Sequence, residues 1–174
     1  FSHSLNFMNN SQLANKPEEI LDLVDENDEI IGEVVRKKAN SSPNLIHREI
    51  SVIIIDKNNK ILLQKRSKYK TVNPNMWSLT AGHVLKGDDL LETAHRELEE
   101  ELGFDTSLIF INKKLQKYVW ETHFMYYYLG IYDDEVINFE STEVSETKFF
   151  SQAELKEFIK NDGLVNLKHI KILD

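Results

Sequence analysis

The spacing of apolar and polar positions divides the chain into short β-prone runs and two helical segments. Residues 1–17 are polar and rich in Asn and Ser up to Pro17, and are expected to form a loose tail ahead of a single domain over 18–174. Residues 20–24 and 29–35 read as strands joined by a hairpin turn at Asp25-Glu26-Asn27-Asp28. Residues 40–44 read as a loop. Residues 51–55 are a continuous apolar run, suited to a strand buried on both faces, and residues 57–60 turn it back into 61–64. A loop over 71–75 precedes a short strand over 77–80. Residues 117–122 and 124–132 are two further strand candidates, the second rich in aromatic residues. The strongest helical pattern covers 89–102. A second helix is expected over 151–160, where Ser151 and Glu154 have the spacing of a capping box. Strands dominate the first two-thirds with helices interspersed, which predicts one α/β domain built on a mixed sheet.

The 89–102 helix carries a conflict. At about 100° per residue, Leu90, Leu91, Ala94, Leu98 and Leu102 fall within an arc of roughly 120°, an ordinary buried stripe. Glu101 projects inside that stripe, Glu97 lies at its edge and Glu100 lies further round. A solvated acidic face would lie opposite the leucines. Glu99, Glu100 and Glu101 also occupy the last turn before Gly103, where the helix dipole disfavours anions by roughly 0.3–1 kcal/mol each. Glu97 and Glu101 repel each other at i, i+4. A divalent cation reverses the sign of each of these terms. The preceding loop, Thr80-Ala-Gly-His-Val-Leu-Lys-Gly87, has glycines that let backbone approach a ligand closely. Two readings stand on these features alone: a metal site, or an acidic surface helix after a glycine loop.

Composition narrows the classes of partner. The chain has 174 residues, 41% hydrophobic and 29% charged, which suits one globular domain. Its 29 acidic against 21 basic residues give a net charge of −8, which argues against broad binding to a nucleic-acid backbone. No apolar run approaches the roughly 18 residues a membrane span needs, and residues 1–15 lack the basic start and apolar core of a secretory signal. With no cysteine there is no disulfide, thiolate ligand or cysteine nucleophile, and a reducing cytoplasm is the simplest expected location.

Residues 82–104 resemble the Nudix box: Gly, five residues, Glu, seven residues, then Arg-Glu-apolar-x-Glu-Glu-x-Gly-apolar. Gly82 opens the pattern, Asp88 stands at its first acidic position, and Arg96-Glu97-Leu98-Glu99-Glu100-Glu101-Leu102-Gly103-Phe104 completes it. Asp88 for Glu is the one departure; Asp88 would meet Arg96, or either Asp88 or Asp89 would cap the helix. The resemblance implies a Nudix-type α/β/α sandwich with a central mixed sheet. It implies Mg²⁺ or Mn²⁺ held by Glu97, Glu100, Glu101 and the carbonyl at Gly82, with Arg96 orienting the carboxylates or forming a surface ion pair. Glu143 is the candidate for an additional catalytic carboxylate, with Glu140 and Glu146 as rivals. The implied activity is hydrolysis of a diphosphate linkage in a small nucleoside-diphosphate-type substrate, by water attacking phosphorus. The same fold could instead serve as a nucleotide-sensing module.

Residues 18–155 also resemble, more loosely, the isopentenyl-diphosphate isomerase branch of the superfamily. Those isomerases use a cysteine just before the Gly-His pair, where this chain has Ala81, and a histidine cluster. His47 and His83 match two members of that cluster, while Asn40 and His123 stand where a histidine and a glutamate are expected. The scaffold is therefore expected without the isomerase chemistry. Lys65, Arg66 and His83 are candidate substrate contacts, with solvation or packing as their alternative roles. The aromatic run 126–128, Trp77 and Trp120 could stack a base or fill the core. Members of this family are often dimers, and nothing in the sequence decides whether this chain forms a homodimer.

Overall fold

A computed structural model describes residues 9–161 and 163–166. The chain opens with a short helix, α1 (Asn10–Asn15), and a hairpin of β1 (Ile20–Val24) and β2 (Ile30–Val35), followed by one helical turn, α2 (Arg36–Ala39). The hairpin turns where expected: the Asp25 carboxylate accepts from the backbone N–H groups of Asn27 and Glu29, at 2.8 and 3.0 Å.

The main sheet contains β3 (His47–Ile55), β4 (Ile61–Arg66), β5 (Trp77–Ser78), β6 (Thr80–His83), β7 (Leu108–Lys117), β8 (Thr122–Ile131) and β9 (Val144–Phe150). Its order is β5-β4-β3-β8-β7, with β6 on β3 and β9 on β4. Only β3 and β8 run parallel among these pairs, so the sheet is mixed. Helix α3 (Leu90–Leu102) covers one face, where Ala94, Leu98 and Leu102 meet Ile50, Val52, Ile54 and Leu62. Helix α4 (Gln152–Lys160) covers the other, where Leu155 joins Ile53, Leu63, Trp77 and Phe150. The result is a three-layer α/β/α sandwich. The continuous apolar run of β3 is explained by these two cores, one on each face.

Helix ends follow local chemistry. Asp89 caps α3 by accepting from Glu92 N–H, which frees Asp88 to pair with Arg96 at 2.7 Å. Gly103 ends α3 with φ of 73°, and a Cβ there would stand 2.5 Å from the Asn138 carbonyl oxygen. Ser151 and Glu154 form the expected capping box of α4. No helix among the described residues is long and apolar enough to cross a membrane.

Four local expectations change. Residues 10–15, expected within a loose tail, form α1: Ala14 is buried, Asn15 Nδ2 donates to the Tyr69 carbonyl, and Thr71 N–H donates to Asn15 Oδ1. Hydrogen bonds to the 67–71 loop take the place of an apolar stripe there. Residues 1–8 of that tail and 167–174 of the domain lie outside the described residues. Residues 118–121, expected as strand, are the turn between β7 and β8, closed by Tyr118 N–H to the Glu121 carbonyl at 2.8 Å. β7 and β9 are additional strands at the margins of the sheet, where polar residues such as Asn112, Lys113, Ser145 and Glu146 face solvent and mask the period of two. Leu91, expected in the buried stripe, is 39% exposed.

Asp28 ties the hairpin to the sheet. It sits at φ of 66° in the β1–β2 turn, its carboxylate buried against Arg48 Nε at 2.7 Å, Lys113 Nζ at 3.0 Å and the donating Tyr126 hydroxyl. Burial pushes this carboxyl up, but hydrogen bonds from Tyr126, Arg48 and Lys113 outweigh it and hold the pKa below its ordinary value. Asp28→Asn should therefore cost about 2 kcal/mol at neutral pH. Because the folded pKa lies below the unfolded one, the wild-type advantage is complete above the ordinary carboxylate pKa of about 4 and disappears as pH falls through the lower folded value. Urea melts of both proteins from pH 7 to pH 3 test this; a gap that is absent at pH 7, or that widens in acid, refutes it.

Candidate active site

The sheet forks, and the acidic end of α3 lies at the fork. β3 bonds to β6 along residues 49–52 but to β4 only at Ile55–Ile61. Between β4 and β6 runs a side-chain bridge, Thr80 Oγ1 donating to Gln64 Oε1 at 3.1 Å. Gln64 Nε2 in turn donates to Glu101 Oε2 at 2.7 Å. Glu101 is only 6% exposed. Glu97 lies against Gly82 so closely that a Cβ there would stand 2.3 Å from the Glu97 carboxyl carbon. A side chain at 82 would therefore displace the Glu97 carboxyl group, while the φ of Gly82 is not in the left-handed region.

Burial sets the protonation of this group. It pushes Glu101 up to about 7, with the Glu143 charge adding and the Gln64 hydrogen bond opposing. Glu97 is raised well above the usual carboxylate range by burial, then by the charges of Glu101 and Glu100. Glu100 is half exposed, 4.0 Å from Lys16. Glu97, Glu100 and Glu101 line one cleft, with Glu97 against the Gly82 backbone and its pKa raised by burial and by the charges of the other two. Their oxygens are not gathered into a ligand group within 4.8 Å, but this excess of carboxylate is of the kind a divalent cation relieves.

The other expected residues divide. Glu143, in the loop before β9, lines the same cleft and accepts from Lys70 Nζ at 2.6 Å. Glu140 also lines it, but its carboxylate caps the turn at Thr142. Glu146 is not among the lining residues and lies across the ladder from Lys65. Arg66 lines the cleft; its Nε donates to the Val72 carbonyl at 2.9 Å, and no carboxylate among the described residues lies within ion-pair distance. Burial lowers its pKa, opposed by the charges of Glu101 and Glu143, and an arginine stays cationic there. Lys65 emerges on the opposite face of β4, with Ile61 and Leu63, and does not reach the cleft. Alternation along the strand gives the pair opposite directions. The side chains of 126–128 and Trp77 are buried in the core, whereas Trp120 lines the cleft.

A second cluster opens into the same cleft, whose volume is about 1010 Å³. His47, Glu49, Glu121 and His123 each bring a ligand atom within 4.8 Å of the others. His47 Nε2 lies 3.1 Å and His83 Nε2 3.2 Å from Glu49 Oε1, and His83 also contacts Asn40 at 2.9 Å. His123 Nδ1 is buried, 3.7 Å from Glu49 and 4.0 Å from Glu121, with no hydrogen-bond partner among the described residues. Burial lowers His83 well below the ordinary histidine range and lowers His123 as well, in both cases against the Glu49 charge. Burial and that same charge push Glu121 up to about 7. Neutral imidazole nitrogens among carboxylate oxygens suit a transition-metal ion.

Sequence reading missed Glu49 and Glu121 here, and Gln64 and Lys70 beside the first cluster. A signal for Glu49 was present: His47-x-Glu49 places both side chains on one face of a strand, whereas Glu121 lies in the turn just before the strand that carries His123. Pairing of His47 with His123 in parallel register then brings the two halves together. Gln64 and Lys70 carried no comparable signal.

Comparison with known proteins agrees with this geometry. Residues 45–169 match the NUDIX domain. Over 155 residues, 83% of this chain and 84% of the relative, the sequence is 32% identical to isopentenyl-diphosphate Delta-isomerase 2 of Photorhabdus laumondii. Over 145 residues, 82% of this chain and 85% of the relative, it is 32% identical to an uncharacterized Nudix hydrolase, lmo0368, of Listeria monocytogenes. Two solved structures share the fold. DR0079 from Deinococcus radiodurans gives a TM-score of 0.71 at 22% identity, over 84% of this chain and 92% of that one. The NUDIX domain of Shewanella oneidensis NrtR, solved with ADP ribose, gives 0.61 at 15% identity, over 74% and 82%. With every spacing of its box kept from Gly82 to Phe104, Asp88 its one departure in residue type, and relatives on both sides of the isomerase–hydrolase divide, the chain belongs to the Nudix family, in the branch that resembles the isopentenyl-diphosphate isomerases.

Proposed function

We propose that this chain is a divalent-metal-dependent hydrolase that cleaves a diphosphate linkage in a nucleoside-diphosphate-type substrate. The observation that carries the reading is the set of Glu97, Glu100 and Glu101 at the fork of the sheet, with Gly82 giving Glu97 its place. Glu97, Glu100 and Glu101 would hold Mg²⁺ or Mn²⁺, with the Gly82 carbonyl beside them. When bound, that ion supplies positive charge against the phosphate oxygens as the phosphorus is attacked. Gln64 fixes the orientation of Glu101, and Arg66 offers a guanidinium to a phosphate. Glu143, steered by Lys70, is the carboxylate placed to take a proton from the attacking water. The nucleotide component draws support from the shared fold of an ADP-ribose-binding neighbour. Most of the acceleration would come from positioning and charge stabilisation.

A second reading, prenyl-diphosphate isomerisation, draws on the histidine cluster and the isomerase relatives. Moving a proton between carbons needs an acid and a base on opposite sides of the double bond. Ala81, which lines the cleft where the resembling isomerases place a cysteine, offers a methyl group for that role. Hydrolysis makes no such demand.

Glu97→Gln and Glu101→Gln should each lower kcat by roughly a hundredfold or more while the protein stays folded. Turnover at the wild-type rate in either variant would place the metal on other carboxylates.

Mg²⁺ or Mn²⁺ should raise the wild-type Tm through linkage, and excess EDTA should abolish hydrolysis. The rise should shrink in Glu101→Gln, read by calorimetry independently of activity. Full activity in EDTA sinks the mechanism.

Incubated with isopentenyl diphosphate in heavy water and Mg²⁺, the protein should form no dimethylallyl product and incorporate no deuterium. In ¹⁸O-water with a nucleoside diphosphate substrate, one product phosphate should carry the label. Dimethylallyl diphosphate formed at an enzymatic rate would overturn the hydrolase reading.

A further inference from the structure

The short helix α1 adds little to the core, yet its C-terminal end is bound closely to the cleft. Six residues are too few for a helix to persist by itself, Leu13 is 43% exposed, and Ala14 is the one buried apolar side chain among those described in α1. What fixes the helix is Asn15, whose side-chain amide brackets residue 70. Its Nδ2 donates to the Tyr69 carbonyl at 3.0 Å, and its Oδ1 accepts from Thr71 N–H at 2.9 Å and Thr71 Oγ1 at 3.0 Å. Nδ2 also donates to the Ser11 carbonyl at 2.6 Å. Both donors and both acceptor sites of the amide are thereby used. Asn15 lines the cleft but has no polar valence left for a substrate.

With its neighbours held on both sides, Lys70 is aimed inward. Its Nζ donates to the Ala14 carbonyl at 2.5 Å and to Glu143 Oε2 at 2.6 Å. The Ala14 carbonyl lies in the last turn of α1, where carbonyls lack a partner within the helix and suit a cation. Ser67, at the other end of the same loop, completes the frame. Its N–H donates to the Glu143 carbonyl at 2.9 Å and its hydroxyl to the Thr142 carbonyl at 2.6 Å. Ser67 thus fixes the backbone that carries Glu143, and Lys70 fixes its carboxylate. A loop clip for stability alone is served as well by an apolar contact, since a buried ion pair gives no net advantage over one.

We propose that α1 is a positioning element of the active site: Asn15 and the Ala14 carbonyl fix Lys70, and Lys70 fixes the Glu143 carboxylate where it takes a proton from the attacking water. This rests on the reading of Glu143 as that proton acceptor. A glutamate side chain turns about three bonds, and among the described residues Lys70 is the donor that restrains this carboxylate. Loss of the Asn15 amide leaves the charges of Lys70 and Glu143 in place and removes only their alignment. Proton transfer requires hydrogen-bond reach, so misalignment lowers kcat. Substrate binding at the glutamates of α3 and at Arg66 does not pass through α1, so KM is spared.

The full chain is assayed with Mg²⁺ and, as probes, ADP-ribose, UDP-glucose and CDP. Asn15→Ala should lower kcat roughly tenfold with KM within about twofold of wild type. Glu143→Gln should lower kcat by roughly a hundredfold. In the double variant the Asn15 effect should vanish, with kcat within about twofold of Glu143→Gln alone, because a group that acts through Glu143 has nothing left to act on. Hydrogen exchange gives a readout without turnover. Asn15→Ala should speed exchange in peptides spanning 67–71 and 140–144 and leave 90–102 at the wild-type rate, which also shows that the variant is folded. A multiplicative loss in the double variant, or faster exchange at 67–71 without any at 140–144, reduces α1 to a loop clip and overturns the proposal. So does wild-type kcat in Asn15→Ala. Wild-type kcat in Glu143→Gln removes Glu143 as the base, and this proposal with it, while leaving the metal site standing. Absence of turnover with every probe counts against the hydrolase reading, and the exchange measurement then decides alone whether α1 positions Glu143.

Discussion

The contact between Glu97 and the bare backbone at Gly82 is the constraint on which the rest of the site depends. A single carbon added at residue 82 would occupy the space of the Glu97 carboxyl group, so Glu97 can hold its carboxylate against β6 only where no side chain intervenes. With the helix at that depth, Glu101 becomes a buried carboxylate hydrogen-bonded to Gln64, and the Thr80–Gln64 bridge spans the gap between β4 and β6. The helix must also stop at once, which Gly103 allows through its left-handed conformation beneath Asn138. Each of these positions follows from one requirement: several like charges brought together out of water, where burial and mutual repulsion drive Glu97 and Glu101 towards protonation. Such a group is a liability in an empty protein and an asset once a cation shares it.

The charge pattern of the cleft is consistent with that purpose. The chain carries a net charge of −8, yet Lys16, Arg36, Arg66, Lys70 and Arg96 all line this one depression. Four of the five are engaged with carboxylates: Lys16 with Glu100, Arg36 with Glu19, Lys70 with Glu143 and Arg96 with Asp88. Arg66 is held at Nε by a backbone carbonyl and leaves the rest of its guanidinium to the cleft. Eight glutamates line the same depression, so it offers an anion no net positive field, only the guanidinium of Arg66 and the charge that a bound cation would add.

One cleft holds both the glutamates of α3 and the histidine–glutamate cluster, the group among the described residues whose ligand atoms lie within 4.8 Å of one another. Glutamates from a helix, beside a glycine backbone, suit a hard cation that also binds phosphate. Buried histidines with glutamates suit a transition metal. The second set retains the positions by which the chain resembles the isomerases, but with Asn40, Ala81 and His123 among them, and Glu49 lies within reach of His47, His83 and His123. The chemistry of a thiol is missing while the surrounding geometry persists.

The sequence by itself determined the helix of the box, its stop at Gly103 and the conflict of its acidic residues with the apolar stripe, because these lie within a short span where the helical period is local; that Asp89 rather than Asp88 caps the helix was decided by the structure. It also determined the central strands 51–55 and 124–132, whose apolar runs are long enough to mark burial on both faces. Tertiary structure alone decided the rest. β7 and β9 needed β8 and β4 as partners before their polar sequences became strands, since a marginal strand buries too little to show a period. α1 formed through Asn15 and the loop at 69–71, contacts that no periodicity announces. The second cluster required parallel pairing of β3 with β8 to bring Glu49 to residues more than seventy positions away. Lys65 and Arg66, adjacent and chemically alike in sequence, were separated by the pleat of β4, Arg66 facing the cleft and Lys65 the opposite layer. Local spacing specifies direction only relative to neighbouring residues; which side holds the site is fixed when the strands pair.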